Sequence, residues 1–388
     1  VVFAVLALQA WEKGRTPVLM YHSISNQGAW IREPSLVVPV PVFKAQMRWL
    51  SRLGYHGLFL DELYESRRQG RSTGRAVVLT FDDGYLDNWV GGYHVLERYR
   101  MKGTIFVSTQ WLDRPAAPRP RLPLADETAV EWRGYLGPGE IKALQESGLV
   151  DIQSHAVTHD HIFISDQVTG FAQPGNRLHT TFCHLHPEAK PNWFKGDSSL
   201  PAGFPLFPLG DSLAAPAFQP DPELVRDLTS QAAAPGFFDR TDWEEQLRRT
   251  AAAFREKHGR LGRVETMEEA RARWRWELEE SRRTLETITG KPVRHLCWPR
   301  NEAHPEAERL ALDLGYLSTT MVSGLHNTRR EPHRVERVAV VSTGRVPADV
   351  ARMVFEILVF KGYYLFWPLL FLLQRLSSSP NPEAEVIS

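Results

Sequence analysis

The stretch Val77-Val78-Leu79-Thr80-Phe81-Asp82-Asp83-Gly84-Tyr85 decides how the chain is read. Its apolar, β-branched run predicts a buried strand, and Asp-Asp-Gly predicts the turn that ends it. Two adjacent carboxylates at a strand end repel each other unless something positive sits beside them. A metal ion held by one carboxylate, with the other left free as a base, answers that repulsion. A solvated Asp-Asp-Gly turn is the plain alternative.

Working outward, Pro17-Val18-Leu19-Met20-Tyr21-His22-Ser23-Ile24 reads as an earlier strand ending in Tyr-His, which places an imidazole where acid/base chemistry can use it. Residues 41–53 carry Phe43, Met47, Leu50 and Leu53 at helical spacing, with Gly54 as the stop. Residues 55–60 predict a short strand, and Asp61 predicts the cap of a helix to about residue 68. Downstream come a helix over 88–100, a strand over 104–107, a Pro- and Arg-rich surface loop over 111–131, a helix over 137–148 and a strand over 149–152. That last strand runs into Gln153-Ser154-His155-Ala156-Val157-Thr158-His159. Strands alternating with helices predict an α/β chain with a mainly parallel sheet.

Residues 163–222 break this rhythm with Pro and Gly and hold His179, His184 and His186 without a defined ligand spacing; they predict an excursion over the surface, of the kind that serves as a lid or lies loose. Helices over 221–228 and 242–258 follow, then a long helix over 265–289 whose Glu and Arg residues predict a solvated face. Residues 293–298 return to strand and lead into Pro299-Arg300-Asn301-Glu302; residues 305–314 predict a helix, and strands over 317–322 and 335–341, the latter with Arg337, close the core. Residues 350–376 are strongly apolar, and 362–373 carry no charge. That run is short of the roughly 20 residues that span a bilayer, and with Tyr363, Tyr364, Trp367, Lys361 and Arg375 around it predicts an interfacial or re-entrant membrane helix.

Composition narrows the classes. The chain has 388 residues, 46 Lys+Arg against 46 Asp+Glu, and so no electrostatic case for nucleic acid as a partner. Its 12 Trp suit sugar rings, cores and membrane interfaces alike. Cys183 and Cys297 stand far apart and outside any Cys-x-x-Cys spacing, which excludes a disulfide framework and leaves one long-range pair open. The apolar residues 1–10 read equally as a trimmed end, the tail of a signal or anchor, or a first strand.

His155-x-x-x-His159 puts two imidazoles within reach of one metal, either on one helical turn or in a tight loop. With Asp83 they make a His-His-carboxylate set with open positions for water and substrate. The Asp-Asp, His-x-x-x-His and Pro-Arg-Asn segments all fall at ends of strands that would be parallel, where α/β folds place their sites.

Thr80-Phe81-Asp82-Asp83-Gly84-Tyr85 and Ser154-His155-Ala156-Val157-Thr158-His159 closely resemble the first two motifs of the polysaccharide deacetylases, the NodB-homology or carbohydrate esterase family 4 enzymes. The resemblance covers residues 16–162 and 268–345, leaving 163–267 as an insertion and 350–376 as a C-terminal apolar helix. It implies a distorted (β/α) barrel in which Asp82 is the general base and Asp83, His155 and His159 hold a divalent metal, commonly zinc. Trp298-Pro299-Arg300 is similar to the third motif, but Arg300 stands where the family carries Tyr; a backbone contact to the oxyanion survives that change and a role of the Tyr ring does not. Met20-Tyr21-His22-Ser23-Ile24 resembles the start of the permuted poly-N-acetylglucosamine deacetylase subgroup, which implies His22 as general acid, while Gly324-Leu325-His326-Asn327 is the other candidate for that part. Arg337 is expected to orient Asp82, and Tyr85, Trp298 and Pro299 to contact substrate. The expected function is metal-dependent removal of N-acetyl, or a similar acyl group, from an amino sugar in a polysaccharide or lipid-linked saccharide, at a membrane-associated or extracytoplasmic place in the cell envelope. The reading from another class is an inactive deacetylase-like protein that binds glycan or organises a membrane assembly.

Overall fold

The computed structural model describes residues 16–31, 33–175, 180–196, 199–321 and 332–361. Its core is a single parallel sheet that curls into a nearly closed barrel. In chain order the strands are β1 (Val18–Tyr21), β2 (His56–Leu58), β3 (Ala76–Phe81), β4 (Gly103–Val107), β5 (Val150–Ser154), β6 (His295–Cys297), β7 (Ser318–Met321), β8 (Arg334–Glu336) and β9 (Val338–Ala339). Hydrogen bonding runs β8-β7-β6-β5-β4-β3-β1-β9, with β2 also on β3. All these pairings are parallel. One extended segment, 334–339, thus pairs with β7 at its start and with β1 at its end, and Arg337 sits at the switch.

The helices α1 (Val40–Arg52), α2 (Leu60–Arg68), α3 (Tyr93–Tyr99) and α4 (Pro138–Glu146) follow the early strands; α7 (Met267–Thr289), α8 (Pro305–Asp313) and α9 (Val346–Phe360) belong to the second half. Every residue of β3 is buried, as expected of a strand covered on both faces. The parallel α/β architecture is what the alternating pattern implied, its closure into a barrel is what the resemblance implied, and the motif strands lie side by side within it.

Residues 163–261 carry α5 (Pro222–Ala232) and α6 (Trp243–His258) and pack around an apolar cluster of their own that includes Phe163, Phe207, Phe218, Leu224, Leu228, Leu247 and Phe254. Asp221 caps α5 by accepting the Glu223 amide. This segment is not a loose excursion: the Lys190 side chain is fully buried against the barrel rim. Two other expectations need correcting. Asp61 lies in the first turn of α2 rather than at its cap, where the Phe59 amide donates to Glu62 at 2.8 Å, and it accepts instead from the buried His295 Nε2 at 3.0 Å. Trp111, expected on a surface loop, is buried. Cys183 and Cys297, whose pairing the sequence left open, are both free thiols.

Helix α9 packs on α1, where Gln46 donates to the Asp349 carbonyl at 3.5 Å; its Met353 sulfur lies 4.0 Å from the Tyr21 hydroxyl of β1, and it buries an Arg352–Glu356 pair at 2.8 Å. The apolar residues 362–376 lie outside the described residues, as do 1–10, His179 and the Gly324–Asn327 motif. Among the described residues no helix is long and apolar enough to cross a membrane.

Candidate active site

All the sequence-selected residues sit at the C-terminal rim of the barrel strands: His22 after β1, Asp82 and Asp83 after β3, His155 and His159 after β5, Pro299 and Arg300 after β6, and Arg337 between β8 and β9. The backbone there is strained. Of the six described non-glycine residues with positive φ, five are at this rim: Asp83, Ala156, His159, Arg300 and Asn301. Each costs about 1–3 kcal/mol unless its surroundings hold it, so their concentration here marks a site rather than a fold requirement.

Two carboxylates of the same turn face different partners. Arg337 Nη1 and Nη2 donate to the two oxygens of Asp82 at 2.6 and 2.8 Å. His22 Nε2 stands 3.9 Å from Asp82 Oδ2, and Cys297 Sγ 3.6 Å from it. Burial pushes the Asp82 carboxyl up, but Arg337, His22 and His155 outweigh it and leave it below its ordinary range. Asp83, turned by its left-handed φ of 70°, meets His155 Nε2 and His159 Nε2, each 3.2 Å from its Oδ1.

That Asp83 oxygen is buried without a hydrogen-bond partner, although two nitrogens flank it. The His155 Nδ1 faces the Cys297 carbonyl at 2.8 Å; donating there leaves Nε2 directed at Asp83, and Cys297 and Asp83 outweigh burial to raise that nitrogen's affinity for a proton or another cation. Two nitrogen lone pairs and a carboxylate oxygen thus converge on one point, all within 4.8 Å of one another. This donor set fits a divalent cation with borderline preferences, and the orphaned oxygen is what such an ion would satisfy. A second set, Asp82, His155 and Cys297, also converges. There, however, the Arg337 guanidinium already occupies both Asp82 oxygens and lies 3.0 Å from Cys297 Sγ, and its charge would repel an ion.

His155 and His159 are not on a helix. They flank a tight loop, which makes the loop alternative of their spacing the correct one. Arg300 comes to the site with its side chain turned away from the carboxylates: it donates to the His159 carbonyl at 3.3 Å and to Asp211 at 3.0 Å. Burial, then Arg300, pull the His159 imidazole down to about 4, so it is neutral and able to offer a lone pair at neutral pH. Trp298 and Pro299 are buried in the floor beside it.

A cleft of about 360 Å³ opens over these groups, lined by His22, Asp82, Asp83, His155 and His159 at one end and Tyr85, Trp111, Tyr135 and Trp193 at the other. Tyr85 and Tyr135 are stacked with centroids 5.4 Å apart, Trp111 leans on Tyr135, and Trp193 Nε1 donates to the Tyr135 hydroxyl at 3.1 Å. Sequence reasoning named Tyr85 but missed Trp111, Tyr135 and Trp193, which come from segments without periodicity. The abundance of Trp was their only trace. It missed Glu277 as well, the buried residue of a helix otherwise rich in solvated charge.

A parallel barrel with its candidate residues gathered on one rim is a fold shared by many chemistries, and comparison with known proteins narrows it. Residues 69–179 match the family model described as polysaccharide deacetylase. That stretch holds both the Asp82–Asp83 turn and the His155–His159 loop, so the site lies within the region of likeness to that family. It is 32% identical over 155 residues to the Bacillus subtilis (strain 168) protein named "Putative polysaccharide deacetylase YxkH", covering 39% of this chain and 47% of that one. It is 26% identical over 172 residues to poly-beta-1,6-N-acetyl-D-glucosamine N-deacetylase of Escherichia coli (strain K12), covering 44% of this chain and 25% of that one. The matches therefore span less than half of those relatives. The fold resembles the BpsB deacetylase domain of Bordetella bronchiseptica, with a TM-score of 0.50 at 18% identity over 84% of this chain and 95% of that one.

Proposed function

We propose that this chain is a metal-dependent hydrolase that removes N-acetyl, or a similar acyl group, from an amino sugar in a polysaccharide or lipid-linked saccharide. The observation that carries the reading is the division between neighbours: Asp82 gripped by Arg337, Asp83 facing two imidazoles with an unsatisfied oxygen. The name of the Escherichia coli relative supports the substrate class. Residues 16–162 and 268–345 supply the chemistry, and the 163–267 insertion supplies Trp193 and Asp211 around it.

Asp83, His155 and His159 would hold the ion, with zinc the best match to one oxygen and two nitrogen donors. When bound, a divalent ion polarises the acyl carbonyl and acidifies a water. The depressed Asp82 is a weak base, suited to accept a proton only from a water already acidified. The water oxygen adds to the acyl carbon as its proton passes to Asp82. The resemblance of Trp298-Pro299-Arg300 to the family's third motif implies the Arg300 backbone N–H as the donor to the developing oxyanion, a role that the engagement of its side chain by Asp211 leaves open. His22, on the other side of Asp82, gives a proton to the departing amine, and acetate and a free amino sugar result. The rings of Tyr85, Tyr135 and Trp193 offer flat apolar faces to the sugar.

Acetate release from N-acetylglucosamine oligomers and lipid-linked N-acetyl sugars tests this reading. Chelation is expected to abolish release and a divalent metal to restore it; activity indifferent to both rejects it. We also propose an envelope location with contact to a membrane surface through 350–376, supported by the uncharged, aromatic-rich run 362–373. The full chain should sediment with anionic vesicles and a chain ending at Lys361 should not; equal binding by the two discards the contact.

A further inference from the structure

The loop from His155 to Asp160 has no regular secondary structure, and two of its residues, Ala156 and His159, are held at φ of 59° and 51°. Its backbone groups are nonetheless satisfied by neighbours. The His155 amide donates to the Val107 carbonyl at 3.0 Å, and the Ala156 and Val157 carbonyls accept the Thr109 and Gln110 amides at 3.2 and 3.0 Å. The Thr158 carbonyl accepts Trp111 Nε1 at 2.7 Å and Lys190 Nζ at 3.0 Å. Two successive amides at the centre, Val157 and Thr158, have one acceptor between them: Glu277 Oε2, 2.9 Å from each. The other carboxylate oxygen takes the Thr158 hydroxyl at 2.5 Å and the Ser212 hydroxyl at 3.3 Å.

Glu277 is 1% exposed, on the inner face of α7, far along the chain from the loop it holds. A carboxylate accepting two consecutive amides is a charge-assisted anchor, stronger than the neutral bonds around it. It fixes the peptide planes midway between the two imidazoles, and their orientation follows from those planes. We infer that Glu277 is the positioning residue of the metal site: through the 157–158 amides it sets how far apart His155 Nε2 and His159 Nε2 present themselves to the ion. This rests on the metal-binding reading proposed above.

Zn2+ affinity, measured by competition with a chromophoric chelator on the full chain, is the test, with the urea midpoint recorded alongside. Glu277→Ala should weaken Zn2+ binding about 10–100-fold, the usual cost of losing a group that orients ligands. Glu277→Gln keeps an oxygen for the two amides and should stay within about threefold of the parent. Leu278→Ala, a core truncation one residue along the same helix, should lower the urea midpoint while leaving Zn2+ affinity unchanged. Affinity in Glu277→Ala equal to the parent's, or an equal loss in Leu278→Ala, overturns the inference. Should Glu277→Ala fail to fold, Glu277→Asp draws the carboxylate one methylene back from the two amides; weaker binding there supports the inference and unchanged binding overturns it. A parent chain that takes up no Zn2+ at all overturns the metal reading itself, an outcome distinct from parent and variant binding alike.

Discussion

At Asp82 and Asp83 a one-residue step changes a carboxylate's chemistry, because the left-handed turn at Asp83 sends the two side chains to opposite partners. Arg337 and Asp82 form a buried bidentate pair, and removing one partner of such a pair costs about 3–5 kcal/mol. Arg337→Met should therefore lower the urea midpoint, and it should also move the pH profile. Arg337 is the largest of the charges that offset burial at Asp82; without it burial dominates and the carboxyl pKa rises. The base is competent only when ionised, so the acid limb of kcat/KM should shift upward. An unmoved acid limb in a folded Arg337→Met would show that another group governs it. These residues were legible because their motifs are contiguous. Arg337 was legible only as a lone cation in a closing strand. Glu277 was not legible at all, since spacing along α7 does not distinguish a carboxylate turned inward from its solvated neighbours.

Among the elements, the turn after β3 does more than carry the two aspartates. Asp87, fully buried, accepts the Ser23 hydroxyl at 2.6 Å and the Ile24 amide at 3.0 Å, which pins the chain just after His22. Burial raises its pKa to about 7, against the offsetting bonds from Ser23 and Ile24. In the unfolded chain it titrates near ~3.9. Between those values the folded form binds more protons than the unfolded one, so stability falls as pH rises from about 4 to 7. Asp87→Asn keeps an acceptor for the Ile24 amide and has no charge to bury, so it should flatten that part of the urea-midpoint profile. A slope identical to the parent's would assign the pH dependence elsewhere. The insertion shows what element-level reading misses. Pro and Gly content correctly signalled a break in the barrel rhythm, but gave no sign that Lys190 would be buried on Asp160 or that Asp211 would take Arg300. Both contacts join residues far apart in sequence and leave no local pattern.

For the molecule as a whole, the parallel α/β order follows from its hydrophobic punctuation: apolar runs a few residues long, separated by helical spacings. Parallel strands covered by helices place all their C-terminal ends on one rim, so once the strands were placed the motif residues had to meet. What lay beyond the sequence is the aromatic wall, where Trp111, Tyr135 and Trp193 converge from a loop and an insertion. The most direct test of the whole is a paired measurement on Asp82→Asn: metal content of the purified chain and the rate of acetate release from N-acetylglucosamine oligomers. With Asp83, His155 and His159 intact, the variant should retain the parent's metal, and without its base it should turn over about 10²–10⁴-fold more slowly. An Asp82→Asn chain that deacetylates at the parent rate, or that loses its metal along with its activity, would contradict the division of labour between the two neighbouring carboxylates.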